Sequence, residues 1–104
     1  MKDLNKHKFL LTEKAIQDLT SIWNYTFDTW SESQADKYYG ELLAFCQSLA
    51  DEPEVGKSYE QLISKLKGAK VNRHIIFYRI ISESTIEIER VLHEQMELKS
   101  RLKR

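Results

Sequence analysis

Proline and glycine are scarce in this chain, with one Pro and three Gly among 104 residues. That leaves no room for a Pro/Gly-rich linker or a low-complexity tract, so residues 1–104 read as a single domain. Cysteine occurs once, at Cys46, which excludes an internal disulfide. Cys46 falls in a helical stripe with Leu42, Phe45 and Leu49, where it is either a buried filler or a nucleophile. A reactive thiol needs an electropositive neighbourhood, and these neighbours do not provide one. No apolar run approaches the roughly 18 residues that span a bilayer. The opening MKDLNKHKFLL has neither the apolar core nor the cleavage site of a secretory signal. The expectation is a cytoplasmic protein with no membrane partner. Gly-rich phosphate loops, CxxC pairs and Ser-His-Asp groupings are also missing, so no catalytic residue and no cofactor is assigned.

Net charge is missing too, with 16 Lys plus Arg against 16 Asp plus Glu. The balance hides an asymmetry. Residues 1–50 carry five Lys against seven acids, minus two, and residues 51–104 carry eleven cations against nine acids, plus two. Lys57, Lys65, Lys67, Lys70, Arg73 and Arg79 have only Glu60 among them, and a basic tail follows over 98–104. Such a patch attracts an acidic helix or a phosphate backbone; it also reads as a lysine-protected strand edge. Sequence-specific nucleic-acid binding is not expected from a chain of zero formal charge.

Two helices are legible before a sheet. Thr12 is placed to cap one whose apolar positions Ala15, Ile16, Leu19, Ile22 and Trp23 recur at helical spacing, with an end expected near Thr26. Ser31 and Gln34 form a capping box for the next, with Ala35, Tyr38, Leu42, Phe45 or Cys46, and Leu49 as its stripe and Asp51-Glu52-Pro53 as its stop. The joint over 27–30 makes them an antiparallel hairpin. Residues 62–71 (LISKLKGAKV) read as a weaker strand broken or bulged at Gly68. Residues 74–81 and 86–93 are two β-branched and aromatic runs around Ser82-Glu83-Ser84-Thr85, an antiparallel hairpin.

A loop of two or four residues pairs His74 with His93, Ile76 with Val91, Phe77 with Arg90 and Tyr78 with Glu89; a three-residue loop slips the register by one. Alternation in the last run makes Ile86, Ile88 and Leu92 the core face, with Ile75, Phe77 and Ile81 beside them. The opposite face then presents Ile76, Tyr78, Ile80 and Val91 with both histidines, as a partner surface or as a face covered by residues 94–104. On this register Arg79 and Arg90 lie on the core face, pairing with helix carboxylates. His74 and His93 offer two ligands to a metal, and no third is evident. Arg73, His74, Tyr78, Arg79, Arg90 and His93 also include the residue types of a ribonuclease.

The pattern HIIFYR, a turn, then IEIERVLH resembles the end of ParE toxins of bacterial toxin–antitoxin modules, within the RelE/ParE superfamily. Phe9-Leu10-Leu11, Ala15, Asp18, Leu19 and Ile22, then Trp30, Gln34-Ala35 and Tyr38 or Tyr39, are similar to the family's first strand and helical hairpin. Pro53-Glu54-Val55-Gly56 matches its Pro-x-x-Gly exit from the second helix. The resemblance implies an α+β fold, β-α-α-β-β-β, with an antiparallel sheet and the hairpin packed on one face. It implies a plasmid-stabilisation type of toxin that binds and poisons DNA gyrase, without being an enzyme, and is neutralised by a ParD-like antitoxin whose tail folds on binding.

For the antitoxin the expected anchors are Trp23, Trp30, Tyr38 and Tyr39, each of which also has an ordinary core-packing reading, with Ile76 and Tyr78 on the sheet face. For the target the expected residues are Arg73, His74, Arg79, Arg90 and His93. RelE-like mRNA-cleaving members typically carry an Arg just after the last strand and a Tyr near the carboxy terminus. Here Glu94 follows His93 and no tyrosine follows Tyr78. The alternatives are an mRNA interferase with a reorganised site, or a member that binds its antitoxin but is not toxic.

Overall fold

The computed structural model describes residues 7–96 and 101–102. Its elements follow in the order β1 (Lys8–Leu11), α1 (Glu13–Thr29), α2 (Glu32–Asp51), a 3₁₀ turn (Pro53–Val55), β2 (Lys57–Ser58), β3 (Lys67–Val71), β4 (His74–Ser82) and β5 (Thr85–His93). The five strands lie in the order β1-β5-β4-β3-β2. All neighbours are antiparallel except β1, which runs parallel to β5, so the sheet is mixed where a purely antiparallel one was expected. The reason is that the helical hairpin carries the chain from β1 across to the opposite edge, and the antiparallel run β2-β3-β4-β5 returns until its last strand lies beside β1 and parallel to it. Among the described residues no helix is long and apolar enough to cross a membrane.

Local signals place the helices. Thr12 Oγ1 accepts the Ala15 N–H at 3.0 Å, and the same hydroxyl donates to the Glu89 carbonyl at 3.0 Å. One side chain therefore caps α1 and ties it to β5. Ser31 Oγ accepts the Gln34 N–H at 3.1 Å. Only Trp30 and Ser31 separate the helices, since α1 runs to Thr29, three residues beyond its expected end. The turn from α2 is closed by Tyr78, whose hydroxyl donates to the Pro53 carbonyl at 2.7 Å and accepts the Gly56 N–H at 3.0 Å. A Cβ on Gly56 would lie 2.3 Å from that hydroxyl, which gives the glycine a steric reason.

Strands β4 and β5 are joined by the two-residue turn Glu83-Ser84, with His74 opposite His93, Ile76 opposite Val91 and Phe77 opposite Arg90, as expected. Beyond Phe77 the register slips: Tyr78 faces Ile88, not Glu89. Glu89 is the extra residue of a β-bulge. The inserted residue moves the side chains between it and a second shift at Ile80–Ser82 to the other face, so Ile86 and Ile88 join Val91, Ile76 and Tyr78 against the helices. This overturns the face assignment above. Ile75, Phe77 and Leu92 point to the far side.

The helix-side core joins Ala15, Leu19, Leu42, Cys46 and Leu49 to Ile76, Tyr78, Ile86, Ile88 and Val91. Cys46 is fully buried and desolvation pushes its thiol up to about 12, so it is a filler. The far face is not open either, for Leu66 and Leu102 are buried against Ile75, Phe77 and Leu92, with Tyr59, Leu62 and Ile63 packed around them. The expected strand over 62–71 is confined to Lys67–Val71. Residues 59–66 turn back under the sheet, where Tyr59 meets Phe77 edge-on at 5.0 Å. Gly68 is in regular pairing with Phe77, not bulged, and its missing Cβ is where the Tyr59 ring lies.

Candidate functional site

A groove of about 1010 Å³ opens between the joint of the two helices and the ends of β4 and β5. Its helix wall is built by Ile22, Tyr25, Thr26 and Trp30 from α1 and its end, and by Gln34, Lys37, Tyr38 and Glu41 from α2. Its sheet wall is Asn72, Arg73, His74, His93, Gln95 and Met96. Trp30 is 73% exposed, Tyr25 69% and Met96 39%, large apolar surfaces left in water beside one another.

The β3–β4 turn determines which side chains arrive at the sheet wall. Val71 pairs with His74, leaving Asn72-Arg73 as the tight connection, and Asn72 takes φ 54°. Asn tolerates this left-handed conformation better than most residues. His74 then leans on α2, with its Nδ1 2.7 Å from the Tyr38 hydroxyl. His93 stands across the ladder, its ring edge-on to His74 with centroids 5.4 Å apart. The Gln95 N–H donates to His93 Nδ1 at 3.1 Å, which leaves the ring proton of neutral His93 on Nε2.

Burial, and then the neighbouring His93, hold the His74 pKa below the usual histidine value, while Asp18 and Glu94 oppose them. Burial raises the Tyr38 pKa, a hydrogen bond from Asn72 pulls it down and Glu41 raises it. The Tyr38 hydroxyl and His74 Nδ1 share one hydrogen bond, whose direction follows the His74 tautomer. The floor is the three rings of Tyr38, His74 and His93, the first two hydrogen-bonded and the last two edge-on, with Arg73 exposed at its rim.

The groove brings together five of the residues expected from sequence, namely Trp30 and Tyr38 from the antitoxin set and Arg73, His74 and His93 from the target set. The others lie elsewhere. Ile76 and Tyr78 are 0% exposed and face the helices, so the expectation that they anchor a partner is corrected by the bulge. Trp23 stacks on Phe27 with centroids 5.3 Å apart and donates its indole N–H to Asp36 at 3.0 Å. Tyr39 packs against the helix-side core.

Arg90 does pair with a helix carboxylate. Its guanidinium donates to Asp18 at 2.8 and 2.9 Å, and to the Arg101 carbonyl at 2.8 Å. Asp18 also accepts the Val91 N–H at 2.9 Å, which closes a stretch of the β5 edge. Arg79 instead meets a sheet carboxylate, Glu89, at 3.2 Å. Burial and then Glu87 raise the Glu89 pKa, with Arg79 acting against them.

The basic patch is partly neutralised, for Lys67 lies 3.5 Å from Glu54 and Lys70 2.7 Å from Glu94. Of the basic tail, only Arg101 and Leu102 fall among the described residues. No group of three or more His, Cys, Asp or Glu that could hold a metal occurs among the described residues. Tyr25, Lys37, Glu41 and Met96 were missed from sequence. Tyr25 follows Ile22 by one helical turn, so its place on the same stripe was available as a signal.

A family profile described as "ParE toxin of type II toxin-antitoxin system, parDE" matches residues 9–98. Toxin ParE1 of Mycobacterium tuberculosis is 32% identical over 91 residues, covering 88% of this chain and 93% of that protein. Toxin ParE1 of Caulobacter vibrioides is 33% identical over 94 residues, covering 90% and 96%. Among solved structures, the chromosomal ParDE TA system from P. aeruginosa aligns with a TM-score of 0.71 at 15% identity, over 86% of this chain and 98% of that one. The toxin–antitoxin complex RelBE2 from Mycobacterium tuberculosis aligns with a TM-score of 0.64 at 23% identity, over 84% and 96%. At these identities the structures speak to the fold alone.

Proposed function

The chain belongs to the ParE toxin family of type II toxin–antitoxin systems, and we propose that it arrests growth by binding DNA gyrase and trapping its cleaved DNA. On this reading a ParD-like antitoxin in the same cytoplasm restrains it by folding an amphipathic segment into the groove. The observation that carries the docking half is the pair of large rings, Tyr25 and Trp30, left exposed over a groove whose floor is otherwise built and hydrogen-bonded. A segment that buries them removes apolar area from water at about 25 cal/mol per Å².

The gyrase half rests on family membership and on what the arginines do. Arg90 is held by Asp18 and Arg79 by Glu89, so neither is presented to a scissile phosphate. Zero formal charge also gives little attraction for ribosomal RNA. Both observations favour protein binding over RNA cleavage. Controlled expression in bacteria lacking the antitoxin is the test. Growth arrest with induced DNA-damage signalling, relieved by the antitoxin, is the expected result. Arrest with translation shut-off supports an mRNA interferase, and no arrest a non-toxic member; either overturns the proposal.

A further inference from the structure

Charge in the groove is unevenly placed. On the helix wall Lys37 and Glu41 sit one turn apart on α2 with opposite charges, and the charge of Glu41 acts on Tyr38. Of the other nearby acids, Asp18 on α1 is held by Arg90 and the Val91 N–H, and Glu94 after β5 by Lys70 at 2.7 Å. The sheet wall therefore ends in one exposed guanidinium, Arg73, and two facing imidazoles, His74 and His93. Neutral Tyr38 and Asn72 complete the surroundings of His74. Tyr25, Trp30 and Met96 lie in the same groove as apolar surface.

We propose that the groove's occupant carries a carboxylate beside an apolar side chain, seating the carboxylate against Arg73, His74 and His93 and the apolar group among Tyr25, Trp30 and Met96, and that binding is accompanied by proton uptake. This rests on reading the groove as the antitoxin's dock, and it names what the docked segment must bring. Charge complementarity is the warrant: the sheet wall presents donors and cationic or protonatable groups, and its acids are already occupied. The proton comes from linkage. In the free protein burial and the facing ring lower the His74 pKa; a carboxylate beside it favours the imidazolium and raises it. A histidine pKa that rises on binding makes affinity grow as pH falls from the bound value towards the free one.

The test uses phenylpropionate, an aromatic carboxylate, with neutral phenylpropanamide as its isostere. Each is titrated into the full-length protein while the histidine, Trp30 and Tyr25 resonances are followed by NMR. The expected result is that phenylpropionate shifts all of them and binds on the order of tenfold more tightly at about pH 5.5 than at about pH 8. The amide should show no such trend. Arg73→Gln, a change at an exposed rim position, should weaken the acid more than the amide. Equal binding of acid and amide at every pH, or no shift at the groove with either, overturns the inference. The docking reading is judged separately, by whether the antitoxin still neutralises a Tyr25→Ser/Trp30→Ser variant. Loss of neutralisation alongside pH-independent probe binding would retain the dock and reject the carboxylate.

Discussion

Asp18 does more structural work than its position on a surface helix would suggest. It accepts two guanidinium bonds from Arg90 and the backbone N–H of Val91. Arg90 in turn has its pKa raised, first by that hydrogen bond, so the pair is a charge-assisted clamp between α1 and the edge of β5. Asp18→Ala removes three bonds and strands a half-buried arginine. The expected loss is about 2–4 kcal/mol in urea unfolding, larger than for an exposed ion pair. Tyr78 is the corresponding residue in the core. Tyr78→Phe leaves the Pro53 carbonyl and Gly56 N–H without their partner and should cost about 1–2 kcal/mol. Gly56→Ala should cost more in the native background than beside Tyr78→Phe, because the added methyl meets the hydroxyl first. A double-mutant cycle on unfolding free energies reads that coupling.

At the level of elements, the caps were legible and the faces were not. Thr12, Ser31 and the Asp51-Glu52-Pro53 stop act through side chains within three residues, which a local pattern encodes. Thr12→Ala should cost about 1 kcal/mol as a helix cap, plus the bond to the Glu89 carbonyl, in thermal unfolding. The hairpin's register was legible as far as Phe77 because a short turn and alternating side chains define it together. The bulge at Glu89 was not, since IEIER alternates as cleanly as an unbulged strand. What selects the bulge is tertiary: it turns Ile86 and Ile88 onto the helices and brings the Glu89 carbonyl to Thr12. That single residue explains why Ile76 and Tyr78 were misplaced on an open surface. Trp30, Tyr38, Arg73, His74 and His93 were found as residues, yet as two separate sets, because the Asn72-Arg73 turn that brings them to one groove is a matter of three-dimensional closure.

For the whole molecule, the groove links stability to pH. His74 has a folded pKa below its unfolded value near 6.5, so the unfolded chain binds more protons in the window between the two. Stability should therefore rise with pH through that window and fall on acidification below about pH 6.5. His74→Gln should flatten this slope in melting curves recorded across the range. An occupied groove should flatten it as well if the occupant's carboxylate favours the imidazolium. The same molecule ties Arg79 and Arg90 into the scaffold and leaves the rings of Tyr25 and Trp30 exposed, which supports the proposal that the chain acts by binding. The most direct measurement of that claim is supercoiling of relaxed plasmid by DNA gyrase with the purified chain added, scoring linear DNA after detergent and protease. The account predicts loss of supercoiling with accumulation of cleaved DNA, both reversed by the antitoxin. Undisturbed supercoiling in the presence of demonstrably folded protein would contradict it.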